Sequence, residues 1–376
     1  MKKIFILTGE PSGDKLASEV IINLNKINQK IEYLGVCGCH LKSLGIRSIF
    51  DQKEITFLAF TDVLFNFFQI KKKIDYTIKE ILNFNPDILF TVDSPDFSLR
   101  VSKKVKQINP NIKTIHYIAP KVWAWREGRV KKMKKFLDHV LLLFNFEKKY
   151  FDKENLKSTF VGHPLLDDKL EKNNISIKQI IDKKIISIFA GSRISEINMH
   201  MPILINFIKK MNNKNFDYNY VFHSTEKLSE KLKSMIKENN LYNVDVIHDD
   251  KLKSNLLKQS IFAIVKSGTV SLEVCKNNIP SIIIYKMNFF NYLLAKSLLN
   301  IKFVNMVNII NNKEVIPELI QRECNSDEIY RAVNYLLKKP DLVKNQLFEI
   351  NKTLNEIKSS TYSTDQASKV VLSYLV

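Results

Sequence analysis

No run of apolar residues in this chain approaches the roughly 18 that a membrane-spanning helix needs. The opening apolar run, Ile4 to Leu7, is cut short by Thr8, Gly9 and Glu10 and reads as a first strand, not a signal peptide. The chain is therefore expected to lie on a bilayer at most. Cysteine is scarce, and the spacing of Cys37, Cys39, Cys275 and Cys324 fits neither a zinc cage nor a paired disulfide framework. That points to a reducing compartment. Acidic residues are under-represented, 39 against 58 Lys and Arg, which leaves a net charge of +19. Such a charge attracts phosphates, nucleic acid or acidic lipid, and part of it reflects Lys, Asn and Ile being abundant throughout. No zinc finger, RNA-recognition signature or stacked aromatic platform is present, so nucleic acid is not an expected partner.

At 376 residues, 45% of them hydrophobic and 26% charged, the chain has material for two cores. Short apolar runs alternate with longer amphipathic ones, the rhythm of βαβ units and parallel sheets. Strands are predicted at Ile4 to Thr8, Tyr33 to Cys37, Ile88 to Val92, Thr114 to Ile118, His139 to Leu143 and Thr159 to Val161. A polar stretch, Asp167 to Asp182, reads as the domain linker. The rhythm restarts at Ile185 to Phe189, Tyr218 to His223, Val244 to Ile247, Ile261 to Val265 and Ser281 to Tyr285. The expected class is α/β, with doubly wound Rossmann-like parallel-sheet domains over 1–168 and 169–350. The remainder, 351–376, ends in a helix that packs back on the first domain. Ligands of open parallel sheets sit beyond the carboxyl ends of the strands, so the loops there carry the chemistry.

Gly9-Glu10-Pro11-Ser12-Gly13-Asp14 turns from strand to helix, with Asp14 placed to cap it. It lacks the three close glycines of a dinucleotide fingerprint, and Glu10 and Asp14 put negative charge where a pyrophosphate would lie. A plain capped turn and a sugar-hydroxyl site that uses Glu10 and Ser12 both fit. Next, Asp93-Ser94-Pro95-Asp96-Phe97 puts two carboxylates at the end of a strand. Asp96 reads as a helix cap, which leaves Asp93 as the candidate base, a role worth about 10² to 10⁴ in rate. Ala119 to Arg126 holds both tryptophans. Trp123 and Trp125 suggest a wall for sugar faces or lipid chains, with Arg126 a bidentate phosphate ligand, or else a core anchor for the following basic helix.

In the second half, Gly191-Ser192-Arg193 precedes a helix start that is open to an anion, with Arg193 adding a fork of donors. Ser267-Gly268-Thr269 repeats the design, with Glu273 one turn on and able to accept from a ribose diol. Together they read as a diphosphate cradle. Phe60, Val63, Leu64, Phe67 and Phe68 follow helical spacing before Lys71-Lys72-Lys73, as an interfacial helix or a buried one would. A second greasy basic stretch runs from Phe289 to Phe303. His116 and His163 read as structural.

The ordered set Gly-Glu-Pro-Ser-Gly-Asp at 9, Asp-Ser-Pro-Asp-Phe at 93, Ala-Pro-Lys-Val-Trp-Ala-Trp-Arg at 119, Gly-His-Pro at 162, Gly-Ser-Arg at 191, Ser-Gly-Thr-Val-Ser-Leu-Glu at 267 and Pro-Glu-Leu-Ile-Gln at 317 resembles the lipid-A-disaccharide synthase family. The resemblance spans nearly the whole chain. It implies a GT-B fold with two facing halves, a UDP-2,3-diacylglucosamine donor and a 2,3-diacylglucosamine 1-phosphate acceptor. It also implies no metal or other cofactor, and peripheral attachment to the inner face of the cytoplasmic membrane of a Gram-negative cell, against an anionic surface. Asp93 matches the family's essential acid, Arg193 its diphosphate-side arginine and Asn308 an asparagine needed for activity. Ser192, Ser267, Gly268, Thr269, Glu273, Asn308 and Gln321 fall on the donor side with Arg193, and Glu10, Ser12, Asp62, Trp123 and Arg126 on the acceptor side. Asp62 stands where the family shows glutamate, one methylene shorter, and Ala190 replaces a proline. The alternative is a UDP-N-acetylglucosamine enzyme of the peptidoglycan-transferase or 2-epimerase type.

Overall fold

The computed structural model describes residues 1–27, 30–55, 67–124, 128–167, 184–214, 217–298 and 301–375. The chain divides into two compact units, Met1–Asp168 with Ile357–Val376, and Lys169–Glu356. Among the described residues no helix is long and apolar enough to cross a membrane.

The first unit is built on a seven-stranded sheet: β1 (Lys2–Thr8), β2 (Ile31–Cys37), β3 (Arg47–Asp51), β4 (Ile88–Val92), β5 (Lys113–Tyr117), β6 (His139–Leu142) and β7 (Ser158–Phe160). Its order is β3-β2-β1-β4-β5-β6-β7. Every pairing is parallel. The central strands are apolar along their whole length, as burial on both faces demands: Ile4 to Leu7 and Ile88 to Phe90 have no exposed surface. On one face lie Leu16, Ala17, Val20, Ile21 and Leu24 of helix Pro11–Ile27. On the other, Ile70, Ile74, Ile78 and Ile81 of helix Phe67–Phe84 pack on Phe5, Leu89 and Phe97. Of the Phe-rich stripe itself, the described side chain is Phe68, which is 78% exposed. Residues 60–66 of the predicted stripe lie outside the described residues.

The second unit repeats the plan with β8 (Lys184–Phe189), β9 (Tyr218–His223), β10 (Val244–Ile247), β11 (Ser260–Lys266), β12 (Ser281–Tyr285) and β13 (Glu318–Ile320), ordered β10-β9-β8-β11-β12-β13. Here too every pair is parallel. Two edge-side strands, β3 and β13, were not among those predicted. Both are short, and their side chains mix polar and apolar residues, so neither carries the apolar run that marks a central strand.

The terminal helix Ser363–Leu372 belongs to the first unit. Ala367, Val371 and Leu375 enter the same core as helix Pro11–Ile27. Asn23 bonds Asp365 at 2.6 Å. The N-terminus of this helix is held by a distant carboxylate: Asp167, buried, accepts from the Ser363 backbone N–H at 3.0 Å and from its hydroxyl at 2.7 Å. Asp167, read from sequence as the first residue of a linker, is thus an anchor, and the rest of that stretch lies outside the described residues. Asp167→Ala strands both donors in a buried place and should cost about 1–2 kcal/mol. A thermal melt should show this as a fall of about 2–8 °C, and an unchanged melting temperature would refute the anchoring role.

Candidate active site

In an open parallel sheet the strand order reverses at one point, and the loops that leave the two strands there diverge to opposite faces and open a crevice. In the first sheet the reversal lies between β1 and β4, and in the second between β8 and β11. The loops leaving these four strands are Gly9–Asp14, Asp93–Pro95, Ala190–Arg193 and Ser267–Thr269, the segments picked out from sequence.

In the first unit the two loops press together. A Cβ on Gly9 would lie 2.1 Å from the Ser94 hydroxyl, so only glycine permits this contact. Asp93 and Ser94 both adopt left-handed backbone, φ 58 and 46. Aspartate tolerates that region better than most residues, but two in succession store strain of about 1–3 kcal/mol each. The turn is held by the Asp93 N–H donating to Tyr117 O at 3.0 Å and by the Ser98 hydroxyl donating to Asp93 O at 2.9 Å. Burial raises the Asp93 carboxyl above its ordinary value, a push partly offset by the Ser94 N–H at 2.8 Å and by the charge of Lys121. A carboxylate so poised is a better proton acceptor than a solvated one.

Two of the predicted capping roles are corrected. Asp96 is not the cap of helix Pro95–Ile108: Ser94 holds that position, and Asp96 lies in the first turn, 3.6 Å from Arg129. Asp14 does not cap its own helix either. Its buried carboxylate accepts from the N–H groups of Gly38 and His40 at 2.7 and 2.8 Å, because a group in the first helical turn faces the neighbouring β2 exit and not its own backbone donors. Glu10 and Ser12 are exposed on the first turn. Trp123 is half-buried and pinned: its indole N–H donates to Glu147 at 3.2 Å and its ring meets Phe146 edge-on. Trp125, Arg126 and Asp62 lie outside the described residues. His116 and His163 are buried neutral imidazoles, pushed down by desolvation to about 3 and about 4.

In the second unit the turn after β8 is arranged differently from the open helix end expected. The Glu196 carboxylate accepts from the Ser192 N–H at 2.9 Å and pairs with Lys266, at the end of β11, at 2.9 Å. Burial pushes this carboxyl up, but Lys266, the Ser192 N–H and Arg193 outweigh it, and the net shift is downward. Gly191, at φ 140, leaves room for the Glu196 Cβ. Arg193 is exposed at the helix start. Gly268 and Thr269 are exposed on the neighbouring turn, with no atom within 4 Å of where a Gly268 Cβ would stand. The Ser267 hydroxyl donates to Val304 O at 2.9 Å, and Glu273 pairs with Lys253 at 3.2 Å. Gln321, at φ 54, accepts from the Met287 N–H at 3.3 Å, while its Nε2 is buried without a hydrogen-bond partner among the described residues.

Asn308 is the clearest departure from expectation. It has no exposed surface. Its Nδ2 donates to Ile316 O and Glu318, and its Oδ1 accepts from the N–H groups of Val315 and Ile316, all at 2.7–2.9 Å. A side-chain amide with its capacity filled has nothing left for a ligand in this arrangement. Asn308 ties the short helix Met306–Asn311 to the chain entering β13. Glu318 completes the knot by accepting from the N–H groups of Val304 and Asn305, so the segment that receives the Ser267 hydroxyl is fixed from below.

Three buried groups escaped the sequence reading: Glu147, Glu318 and His200. His200 donates from Nδ1 to Ala190 O at 2.7 Å and accepts at Nε2 from the Lys286 N–H at 3.0 Å, which ties the β8 turn to the exit of β12. The need of a buried indole N–H for a partner was the available clue to Glu147. Glu318 lay inside the quoted Pro-Glu-Leu-Ile-Gln motif. Nothing in sequence singles out His200.

Two all-parallel sheets, each with a single reversal of strand order, define the GT-B fold class of glycosyltransferases. Solved structures of that fold superpose over the full length. The S. aureus MnaA–UDP structure matches at TM-score 0.66 and 14% identity, covering 100% of this chain and 97% of that one. Neisseria meningitidis UDP-GlcNAc 2-epimerase bound to UDP-GlcNAc gives 0.65 and 14%, covering 100% and 99%. Acinetobacter baumannii MurG gives 0.59 and 10%, covering 99% and 100%. The family model described as lipid-A-disaccharide synthetase matches residues 4–371. The lipid-A-disaccharide synthase of Rickettsia bellii (strain OSU 85-389) is 35% identical over 379 residues, covering 99% of this chain and 98% of that protein, and that of Rickettsia typhi is 31% identical, covering 100% and 99%. The chain belongs to the lipid-A-disaccharide synthase family.

Glu147 offers a test of the Trp123 contact. Desolvation raises its carboxyl from 4.5 to about 7, outweighing the bonds from Phe144 N–H and Trp123. The folded protein therefore binds a proton that the unfolded chain releases between these values, and this group makes stability fall as pH rises from about 4.5 to about 7. Glu147→Gln should flatten that part of the stability profile and abolish any change in Trp fluorescence with a midpoint near 7. An identical profile in the variant would contradict the assignment.

Proposed function

We propose that this chain transfers a 2,3-diacylglucosamine unit from its UDP conjugate to the 6-hydroxyl of 2,3-diacylglucosamine 1-phosphate, with inversion. The products are the β-1,6-linked disaccharide 1-phosphate and UDP. The observation that carries this reading is Asp93: a single half-buried carboxylate, raised in pKa and locked in a strained turn at the strand-order reversal of the first unit. It takes the proton of the acceptor hydroxyl as that oxygen attacks the anomeric carbon. The bond from that carbon to the diphosphate breaks, and UDP carries away the electron pair.

On the donor side, Arg193 with the exposed turn at Gly268 and Thr269 supplies the positive ends that a diphosphate needs, held in register by the Glu196–Lys266 pair. Ser192 and Ser267 shape the two turns, Glu273 is placed to accept from a ribose, and Gln321 has an unused donor. On the acceptor side, Glu10 and Ser12 offer acceptors to sugar hydroxyls, and Trp123 offers a ring face. Arg126 and Asp62 join them by family resemblance. The reaction is proposed to need no metal, since fixed donors carry the leaving charge. Peripheral attachment to an anionic bilayer is supported by the +19 net charge and by Phe68 exposed near Lys71 and Lys72. The peptidoglycan-transferase or 2-epimerase alternative shares with its structural neighbours only the fold, at 10–14% identity.

Asp93→Asn keeps the left-handed backbone that asparagine tolerates while removing the base. Turnover of the two acylated sugars should fall by about 10² or more while UDP binding persists in calorimetry. Lost UDP binding would refute the division of roles. Separately, UDP release should survive excess EDTA, and a loss restored by a divalent ion would overturn the metal-free scheme.

A further inference from the structure

Beside the Asp93 turn, on the same unit, lies a groove of about 510 Å³ between helix Pro95–Ile108 and the segment 129–136. Its floor is apolar, with Leu99, Met133 and Phe136 buried beneath it. The rim carries Arg100, Lys103, Arg129, Lys132 and Lys135 against a single carboxylate, Asp96. Asp96 and Arg129 approach to 3.6 Å at the end where the helix begins, three residues beyond Asp93. An adjoining hollow of about 290 Å³ shares Arg100 and Lys103 and continues the strip to Lys71 and Lys104, with Asp75 as its one carboxylate.

The two halves of this lining ask for different things. Clustered cations around a low-dielectric floor favour an anion, whereas the floor itself is best covered by hydrocarbon. Inorganic phosphate would answer the rim alone. A nucleic acid would do the same, and among the described residues the groove's lining has no exposed aromatic on which bases could stack. A phosphate joined to an acyl chain answers both. From Pro95 to Gln107 the groove follows the helix for about 18 Å, close to the roughly 15 Å that one chain contributes to half a bilayer core.

We propose that this groove is the acceptor subsite, seating the phosphate and one acyl chain of a phosphorylated acyl sugar so that its free hydroxyl is left at Asp93. The assignment rests on the reaction proposed above. To test it, the full chain and a triple variant, Lys103→Ala with Lys132→Ala and Lys135→Ala, are compared in detergent micelles at saturating donor. All three lysines are exposed, so the core is untouched. The measured quantity is kcat/KM for the acceptor with its phosphate over kcat/KM for the same sugar without it. The native protein should favour the phosphate by about tenfold or more, and the variant by less than about threefold, with the change in the acceptor KM. An undiminished ratio in the variant overturns the subsite. If that variant also loses sedimentation with phosphatidylglycerol vesicles, the groove belongs to the bilayer surface instead. A native protein that turns over both acceptors equally overturns the groove assignment alone, whereas one that turns over neither removes the reaction on which it rests.

Discussion

Parallel pairing of β1 with β4, and of β8 with β11, is the constraint on which the remaining architecture depends. At these two seams the helices that follow neighbouring strands leave toward opposite faces, so the carboxyl ends stand uncovered. Each loop that leaves them is then free to carry polar groups without burying them unpaired. The seam also forces close approach. Gly9 must lack a side chain because Ser94 occupies that space, and Gly191 because Glu196 does. Elsewhere the sheets are sealed by side chains such as Phe5, Phe90, Ile188 and Phe262, which have no exposed surface.

Strain accompanies the exits of several strands. Among the described residues, Asp93, Ser94, Ile118 and Gln321 take left-handed backbone within two residues of a strand's carboxyl end. For a β-branched residue such as Ile118 this is a costly conformation. It persists because its surroundings fix it, with the Ile118 N–H donating to Leu141 O at 3.2 Å. The second unit fixes its loops with polar knots: Asn308 with Glu318, His200 between Ala190 and Lys286, and Glu196 with Lys266. Each ties one loop to another.

The fold was largely readable because central parallel strands are apolar on both faces and leave an unmistakable run, and because chemistry at strand ends obeys topology. Strands β3 and β13 were missed because edge positions tolerate mixed side chains, as Arg47-Ser48 and Glu318 show. Capping assignments failed where a carboxylate reached across space. Asp14 bonds backbone 24 and 26 residues away, and no local pattern encodes that. Asn308 shows the opposite failure: its importance was legible by resemblance, but its burial and saturated hydrogen bonding were not, since a polar residue at a short helix gives no sign of which way it faces. Glu147 and His200 sit in segments whose composition is unremarkable, and only the packed structure reveals their partners.

The anchoring of Ser363 by Asp167 gives the first unit a core assembled from segments far apart in sequence, with Ala367, Val371 and Leu375 lying against residues numbered below 25. A nascent chain emerges from the ribosome in order, and domains generally fold as they appear. Here the second unit, contiguous in sequence, is synthesised in full before the last helix of the first one exists. The unit that begins first is therefore completed after the second, and until residues 363–375 emerge it must wait with part of its apolar interior uncovered.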